Sequence, residues 1–289
     1  MLTPSTRKFW TTARMAKKIS RARKIVSTVS RRPRQSAERT EVRSAGSSFV
    51  MVPSEGEVAT ARSDDEDGGE LVPWVLDRLF ASYGPQGWWP AETRLEVVVG
   101  AVLTQATAWR NVELALANLK RAGALDLPTL LTIAEPELAA LVRPAGFFRV
   151  KARRLRALFD HVAREHNGDL EAFLAQEPPR LRRTLLAIPG IGPETADSIV
   201  LYAAGHAVFV IDAYTRRVWD RLGARPVGDG YAEWQSWFHE RLPARAALFN
   251  EFHALLVRHA KDVCRSQPRC DACCLRERCA LGRPLIDAP

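Results

Sequence analysis

The sequence predicts an all-α protein, and three observations carry that reading. Apolar residues recur at three- and four-residue spacings from Leu71 almost to the C-terminus. Gly and Pro punctuate the joints, at Gly84-Pro85, Pro144-Ala145-Gly146, Pro178-Pro179 and Pro189-Gly190. Only one short segment, 206–211, reads as extended.

Taken in order, the periodic stretches predict helices over 73–83, 94–104, 111–122 and 127–142, then 150–165, 169–175 and 179–187. Four more fit 194–204, 212–222, 231–242 and 244–264, about eleven in all. Residues 1–72 break the pattern. The net charge of the whole chain is +9, yet residues 1–45 hold 13 Lys and Arg against 2 acids, and residues 46–72 hold one Arg against 7 acids. This composition predicts a disordered tail, basic and then acidic. Two readings stand for it: an arm adding nonspecific phosphate contacts, or a dispensable leader with Met51 as a later start. Its Arg-rich, acid-poor opening also resembles an organelle transit peptide. Past residue 72 the chain is only mildly basic, so the overall pI of 9.7 says little about a nucleic-acid partner. No apolar run approaches the length of a membrane span.

Four motifs carry chemistry. The stretch 186–197, LAIPGIGPETAD, ends one helix, turns on Pro189, Gly190 and Gly192, and opens another near Pro193. Such a helix–hairpin–helix turn aims backbone N–H groups outward, which suits a DNA phosphate; an ordinary glycine turn between helices is the plainer reading. The stretch 206–217, HAVFVIDAYTRR, places Asp212 at a helix start after a buried run; alone, Asp212 reads as an N-cap. Five cysteines all lie between Cys264 and Cys279, which argues against a disulfide framework and for a metal site in a reducing compartment. The spacing Cys264-x5-Cys270-x2-Cys273-x5-Cys279 suits a 4Fe–4S cluster or a tetrahedral zinc alike. Last come GWWP at 87–90 and GAVLTQATAW at 100–109. Gln105 there is a polar side chain at the end of an apolar helix, and Trp89 and Trp109 are either core or pocket residues.

Together, IPGIGPETAD and VIDAYTRR resemble the helix–hairpin–helix (HhH-GPD) DNA glycosylases of the endonuclease III superfamily. GWWP, LTQATAW, RPAGFFRVKARRL and GIGPETAD resemble its 3-methyladenine branch. The resemblance covers about residues 72–282. It implies two helical lobes with DNA between them, one of residues 90–204 ending in the hairpin, the other of 73–89 plus 205–289. It implies that Asp212 is catalytic, stabilising positive charge on the deoxyribose as the glycosidic bond breaks. It implies that Gly190 and Gly192 hold phosphate and that Gln105 fills the gap left by a flipped nucleotide. Trp89, Pro90 and Trp109 would line a base pocket in which stacking favours electron-poor, cationic alkylated purines. It tips the cysteines toward a 4Fe–4S cluster on Cys264, Cys270, Cys273 and Cys279. The first gap is one residue shorter than the family's common form, and Cys274 stands beside Cys273 where a Pro is frequent.

Bifunctional relatives attack the sugar with a lysine of the second hairpin helix. Here Glu194 holds the matching position, and no Lys occurs between Lys151 and Lys261. The expectation is a monofunctional glycosylase that acts as a monomer on double-stranded DNA carrying a damaged base, in the cytoplasm and without a membrane partner. Lys261 is either a pocket lysine near Asp212 or a solvated one. The alternatives are a bifunctional glycosylase and lyase on oxidised pyrimidines, a noncatalytic Fe–S DNA-binding protein, and a zinc nucleic-acid module.

Overall fold

The structure is a computed structural model that describes residues 64–283, in which there are twelve α-helices and no strand. Helix α1 (Asp64–Tyr83) begins inside the segment whose composition reads as tail. Leu71 and Val72 on it are buried. The tail reading for residues 1–63, Met51 included, lies outside the described residues. Helix α2 (Arg94–Leu103) is capped by Thr93, whose side chain accepts from the Glu96 N–H at 3.1 Å. Helix α3 (Trp109–Arg121) follows.

The single helix expected over 127–142 is two, α4 (Leu127–Thr132) and α5 (Glu135–Leu141). Pro136 has no N–H for the Thr132 carbonyl and its ring crowds that carbonyl, so the chain turns extended at Ile133 and Ala134. The remaining helices are α6 (Phe148–His166), α7 (Leu170–Leu174), α8 (Pro178–Ala187), α9 (Pro193–Ser198), α10 (Ala213–Leu222), α11 (Tyr231–Arg241) and α12 (Ala246–Asp262). Helix α9 runs directly into a π-helical turn, Ile199–Ala203.

Two hydrophobic cores form. The first is built from α2 to α9, with Val98, Val102, Leu119, Leu155 and Phe159 fully buried. The second joins α1 to the C-terminal helices around Phe209, Trp219, Phe238 and Phe252. The π-helical turn belongs to both: Ile199 and Val200 pack in the first core, Leu201 in the second, and Tyr202 touches each.

Segment 206–211 is extended in sequence character but has no strand to pair with, so side chains satisfy its backbone. The Phe209 N–H donates to His239 Nε2 at 3.0 Å, and the Ile211 N–H to the Tyr231 hydroxyl at 3.3 Å. Gln235 Nε2 donates to the Phe209 carbonyl and to Asp197 Oδ2, both at 2.8 Å. Asp197, fully buried on α9, also receives Arg182 of α8 through two bonds, at 2.6 and 3.1 Å. One carboxylate therefore ties the hairpin helices to α11 and to the strand-like segment that leads to Asp212. A buried lysine supports the other side of the same region. Lys151 Nζ donates to the carbonyls of Leu103 (2.9 Å) and Ala145 (2.6 Å), fixing the end of α2.

Two outcomes are expected. Asp197→Ala strands Arg182 and Gln235 and should lower the unfolding free energy by about 3 kcal/mol, read from urea titrations; a loss under about 1 kcal/mol would show the clamp to be dispensable. For Lys151, burial, with the Arg154 charge beside it, pulls the ammonium down to about 8. The unfolded chain keeps that proton to about pH 10. Between these values the unfolded state binds more protons, so this group makes stability rise with pH. Lys151→Met should flatten that rise in urea midpoints measured across the window.

Candidate active site

A cavity of about 740 Å³ opens between the two cores, and the sequence-predicted Trp89, Gln105, Trp109, Asp212 and Lys261 all line it. Asp212 is placed by the segment described above and caps α10, its Oδ1 accepting the Thr215 N–H at 2.7 Å. Its Oδ2 stands 3.5 Å from His253 Nε2, and the residue is only 9% exposed. Burial pushes the carboxyl up, but the His253 imidazole and the Thr215 N–H overcome it and hold the group below the usual aspartate range. His253 Nδ1 shares a 2.5 Å hydrogen bond with the Tyr202 hydroxyl. Burial, reinforced by the Asp212 and Glu251 charges, pushes the Tyr202 phenol well up, so it stays neutral. The result is an ionised carboxylate in a mostly apolar cavity, able to stabilise a nearby positive centre or to orient water.

Facing it is a wall of indoles. Trp88, Trp89 and Trp109 meet with ring centroids 4.7 to 5.1 Å apart, and Trp89 lies 5.3 Å from the Tyr202 ring. Gly100 lets the Trp89 indole rest on α2, since a Cβ there would come within 3.0 Å of the ring. Trp109 opens α3 and is oriented by its Nε1 bond to Glu113 at 2.8 Å. The loop carrying Trp88 and Trp89 is held by the fully buried Glu251, whose Oε1 accepts the Gln86 N–H at 2.7 Å. Pro90 departs from expectation: it is exposed and is not among the residues lining the cavity, because the chain turns outward after Trp89. Trp88 lines it instead.

Gly190 and Gly192 form the hairpin turn beside the cavity rather than its wall. Gly190 has φ +86°, and a Cβ on it would lie 2.5 Å from the Arg154 side chain; beside Gly192 there is open space. Gln105 is fastened to this turn. Its Nε2 donates to the Gly190 carbonyl at 3.1 Å and to Thr195 Oγ1 at 2.9 Å, while its Oε1 accepts from Arg154. Glu194 projects into the same cavity. Its side chain keeps contact with solvent, but the cleft walls and the Asp212 charge push its carboxyl up. Lys261 lines the far rim on α12 together with Arg258 and Asp262. Sequence reasoning missed His253, Tyr202, Trp88 and Arg154. Only the Trp-Trp doublet left a local signal; the others are brought in from remote helices.

Just past the C-terminal end of α12, Cys264, Cys270, Cys273 and Cys279 line one small cavity, and Cys274 does not; it faces the side of Trp74 and Arg78. Arg221 knits the loop together, donating to Cys264 Sγ at 3.4 Å and to the carbonyls of Cys264, Arg265 and Ser266, while Cys279 Sγ donates to the Arg221 carbonyl at 3.2 Å. Burial pushes the Cys273 thiol up to about 12, a cost that a cationic centre among the four sulfurs would remove. Among the described residues no group of three His, Cys, Asp or Glu side chains is disposed to hold a single metal ion. Four thiols around one cavity are a donor set that suits a tetrahedral zinc or an iron–sulfur cluster.

Comparison with known proteins accords with this geometry. The family described as HhH-GPD superfamily base excision DNA repair protein matches residues 99–243. A protein of Methanocaldococcus jannaschii named "Putative DNA repair glycosylase MJ1434" is 43% identical over 216 residues, which are 74% of this chain and 98% of that protein. Among solved structures, the 3-methyladenine DNA glycosylase MagIII of H. pylori, bound to 1,N6-ethenoadenine, is 30% identical with a TM-score of 0.59, over 67% of this chain and 97% of that one. A trapped endonuclease III–DNA covalent intermediate shares the fold, with a TM-score of 0.64 at 22% identity over 75% of this chain and 98% of that one. Among the described residues no helix is long and apolar enough to cross a membrane. A carboxylate-bearing cleft beside a glycine hairpin, on this fold and with these relatives, identifies the chain as a member of the HhH-GPD superfamily of base excision DNA repair proteins, a DNA glycosylase of the endonuclease III superfamily.

Proposed function

We propose that the protein hydrolyses the N-glycosidic bond of an alkylated purine flipped out of duplex DNA and leaves an abasic site. The observation that carries this is the pairing of a buried, ionised Asp212 with an indole wall across one cavity. Alkylation makes a purine electron-poor, frequently cationic, and a better leaving group. Aromatic faces favour such a base over its neutral parent, so the pocket discriminates with few hydrogen bonds. Trp89 and Trp109, joined by Trp88, stack on the extruded base. As the bond lengthens, positive charge gathers on the sugar, and the Asp212 carboxylate stabilises it and orients the attacking water. Lys261, which lines the same cavity, is assigned to the pocket that receives the flipped nucleotide.

The Gly190–Gly192 turn is assigned to phosphate, with Gly192 leaving room for close approach. Gln105 is assigned to the vacated place in the duplex. Phe147 supports duplex distortion: it is 70% exposed, has φ +44°, and heads the helix stripe that carries Lys151 and Arg154. An exposed apolar side chain of this kind suits wedging between base steps. Glu194, at the position where bifunctional relatives place their lysine, supports hydrolysis by water without a Schiff base. The MagIII likeness supports the substrate class.

Cys264, Cys270, Cys273 and Cys279 are assigned as ligands of a 4Fe–4S cluster. Bound there, it would supply a covalent staple for the loop after α12; Arg221 holds two of those cysteines in place without it.

On a duplex panel of alkylated, oxidised and deaminated bases, release should be fastest for the alkylated purines. Asp212→Asn should slow it roughly a hundredfold or more while duplex binding persists. Equal activity of the two proteins would sink the mechanism, and a covalent adduct trapped by borohydride would reject hydrolysis by water in favour of a lyase. For the cluster, Cys273→Ser should lose iron and the brown absorbance, whereas Cys274→Ser should keep both; stoichiometric zinc in the wild type would overturn the assignment.

A further inference from the structure

We infer that Arg154 is a ligand for a backbone phosphate of DNA and a tether for Gln105, so that gripping the strand and freeing the gap-filling amide are one coupled event. This rests on the glycosylase reading of Gln105 and the Gly190 turn above.

Arg154 is a cation in search of an anion. It is half-buried on α6, one turn from the buried Lys151, whose own positive charge it opposes. Among the described residues no carboxylate pairs with it, whereas the other buried or bridging arginines of the first core are provided for. Arg182 has Asp197, Arg94 has Glu171, and Arg156 has three backbone carbonyls. A guanidinium carries five donors, and Arg154 directs one of them to the neutral oxygen of Gln105. Its stem lies over the hairpin turn, so close that a Cβ on Gly190 would meet Cγ at 2.5 Å, Nε at 2.6 Å and Cδ at 2.8 Å. Gly190 is therefore needed twice, for its backbone conformation and to let this arginine lie over the turn. On the far side of the turn, Gly192 leaves open space.

Gln105 in turn has both ends of its amide occupied, by Arg154 at the oxygen and by Gly190 and Thr195 at the nitrogen. In this state it cannot enter a duplex. A phosphate arriving at the turn offers Arg154 a charged acceptor in place of an amide oxygen, and a guanidinium pairs with phosphate through short, frequently bidentate bonds. The guanidinium exchanges one for the other and Gln105 loses its charged tether. The plug is released where a strand is already held, and stays docked where none is.

The test uses the full chain and an undamaged duplex, with Arg154→Met and Arg154→Lys. Removing a phosphate contact lowers the slope of log K against log salt by about 0.9. Arg154→Met should show that drop and Arg154→Lys should not, which a merely structural role would not produce. Base release by Gln105→Ala, Arg154→Met and the double variant should be non-additive, the double resembling the worse single. An unaltered slope in Arg154→Met overturns the phosphate contact, and full additivity overturns the coupling. A wild-type chain without duplex affinity would instead overturn the underlying glycosylase reading.

Discussion

A carboxylate kept charged inside an apolar cleft is the constraint around which this protein is organised. Taking Asp212 out of water is unfavourable, and the cost is offset locally by one backbone N–H from Thr215 and one imidazole from His253. Those partners come from different helices, α10 and α12, which are themselves packed together in the second core. The carboxylate cannot move without disturbing that packing. It is also the reason the chain before it has no freedom. Segment 206–211 is pinned by His239, Tyr231 and Gln235 because a misplaced cap would leave a buried charge unpaired.

The same economy governs how the cores meet. Asp197 joins α8, α9 and α11 through Arg182 and Gln235, and the π-helical turn after α9 contributes Tyr202 to both sides. The glycine turn, the contact between the two cores and the capping carboxylate thus lie along one stretch of chain, 186–215. The glycine turn and Asp212 are thereby joined by a short, hydrogen-bonded path. The indole wall is fixed independently, from α2, α3 and the loop that Glu251 anchors. The cavity is therefore closed by two rigid halves, one presenting charge and the other presenting aromatic faces.

The helical class was legible because burial on one face of a helix must repeat with its 3.6-residue turn. Where prediction failed, a local breaker or a missing partner was responsible. Pro136 divided one expected helix, and 206–211 found no strand to pair with. In the site, Asp212, Gln105 and the hairpin glycines declare themselves because each sits at a helix end, where short-range chemistry dictates residue type. Pro90 did not join the pocket, although its neighbour Trp89 does, because adjacency in sequence says nothing of which way the next residue turns.

By itself, then, the sequence determined the helices, the turn, the capping carboxylate and the cysteine spacing, all of which are encoded within about a dozen residues. Only the tertiary structure decided that His253, itself hydrogen-bonded to Tyr202, meets Asp212, that Arg154 lies over Gly190 and holds Gln105, and that Cys273 rather than Cys274 shares the cavity with the other three. These are contacts between side chains tens of residues apart, or between neighbours distinguished only by the direction they face. Electrostatics and packing at such sites depend on distance in space, which no spacing along the chain specifies.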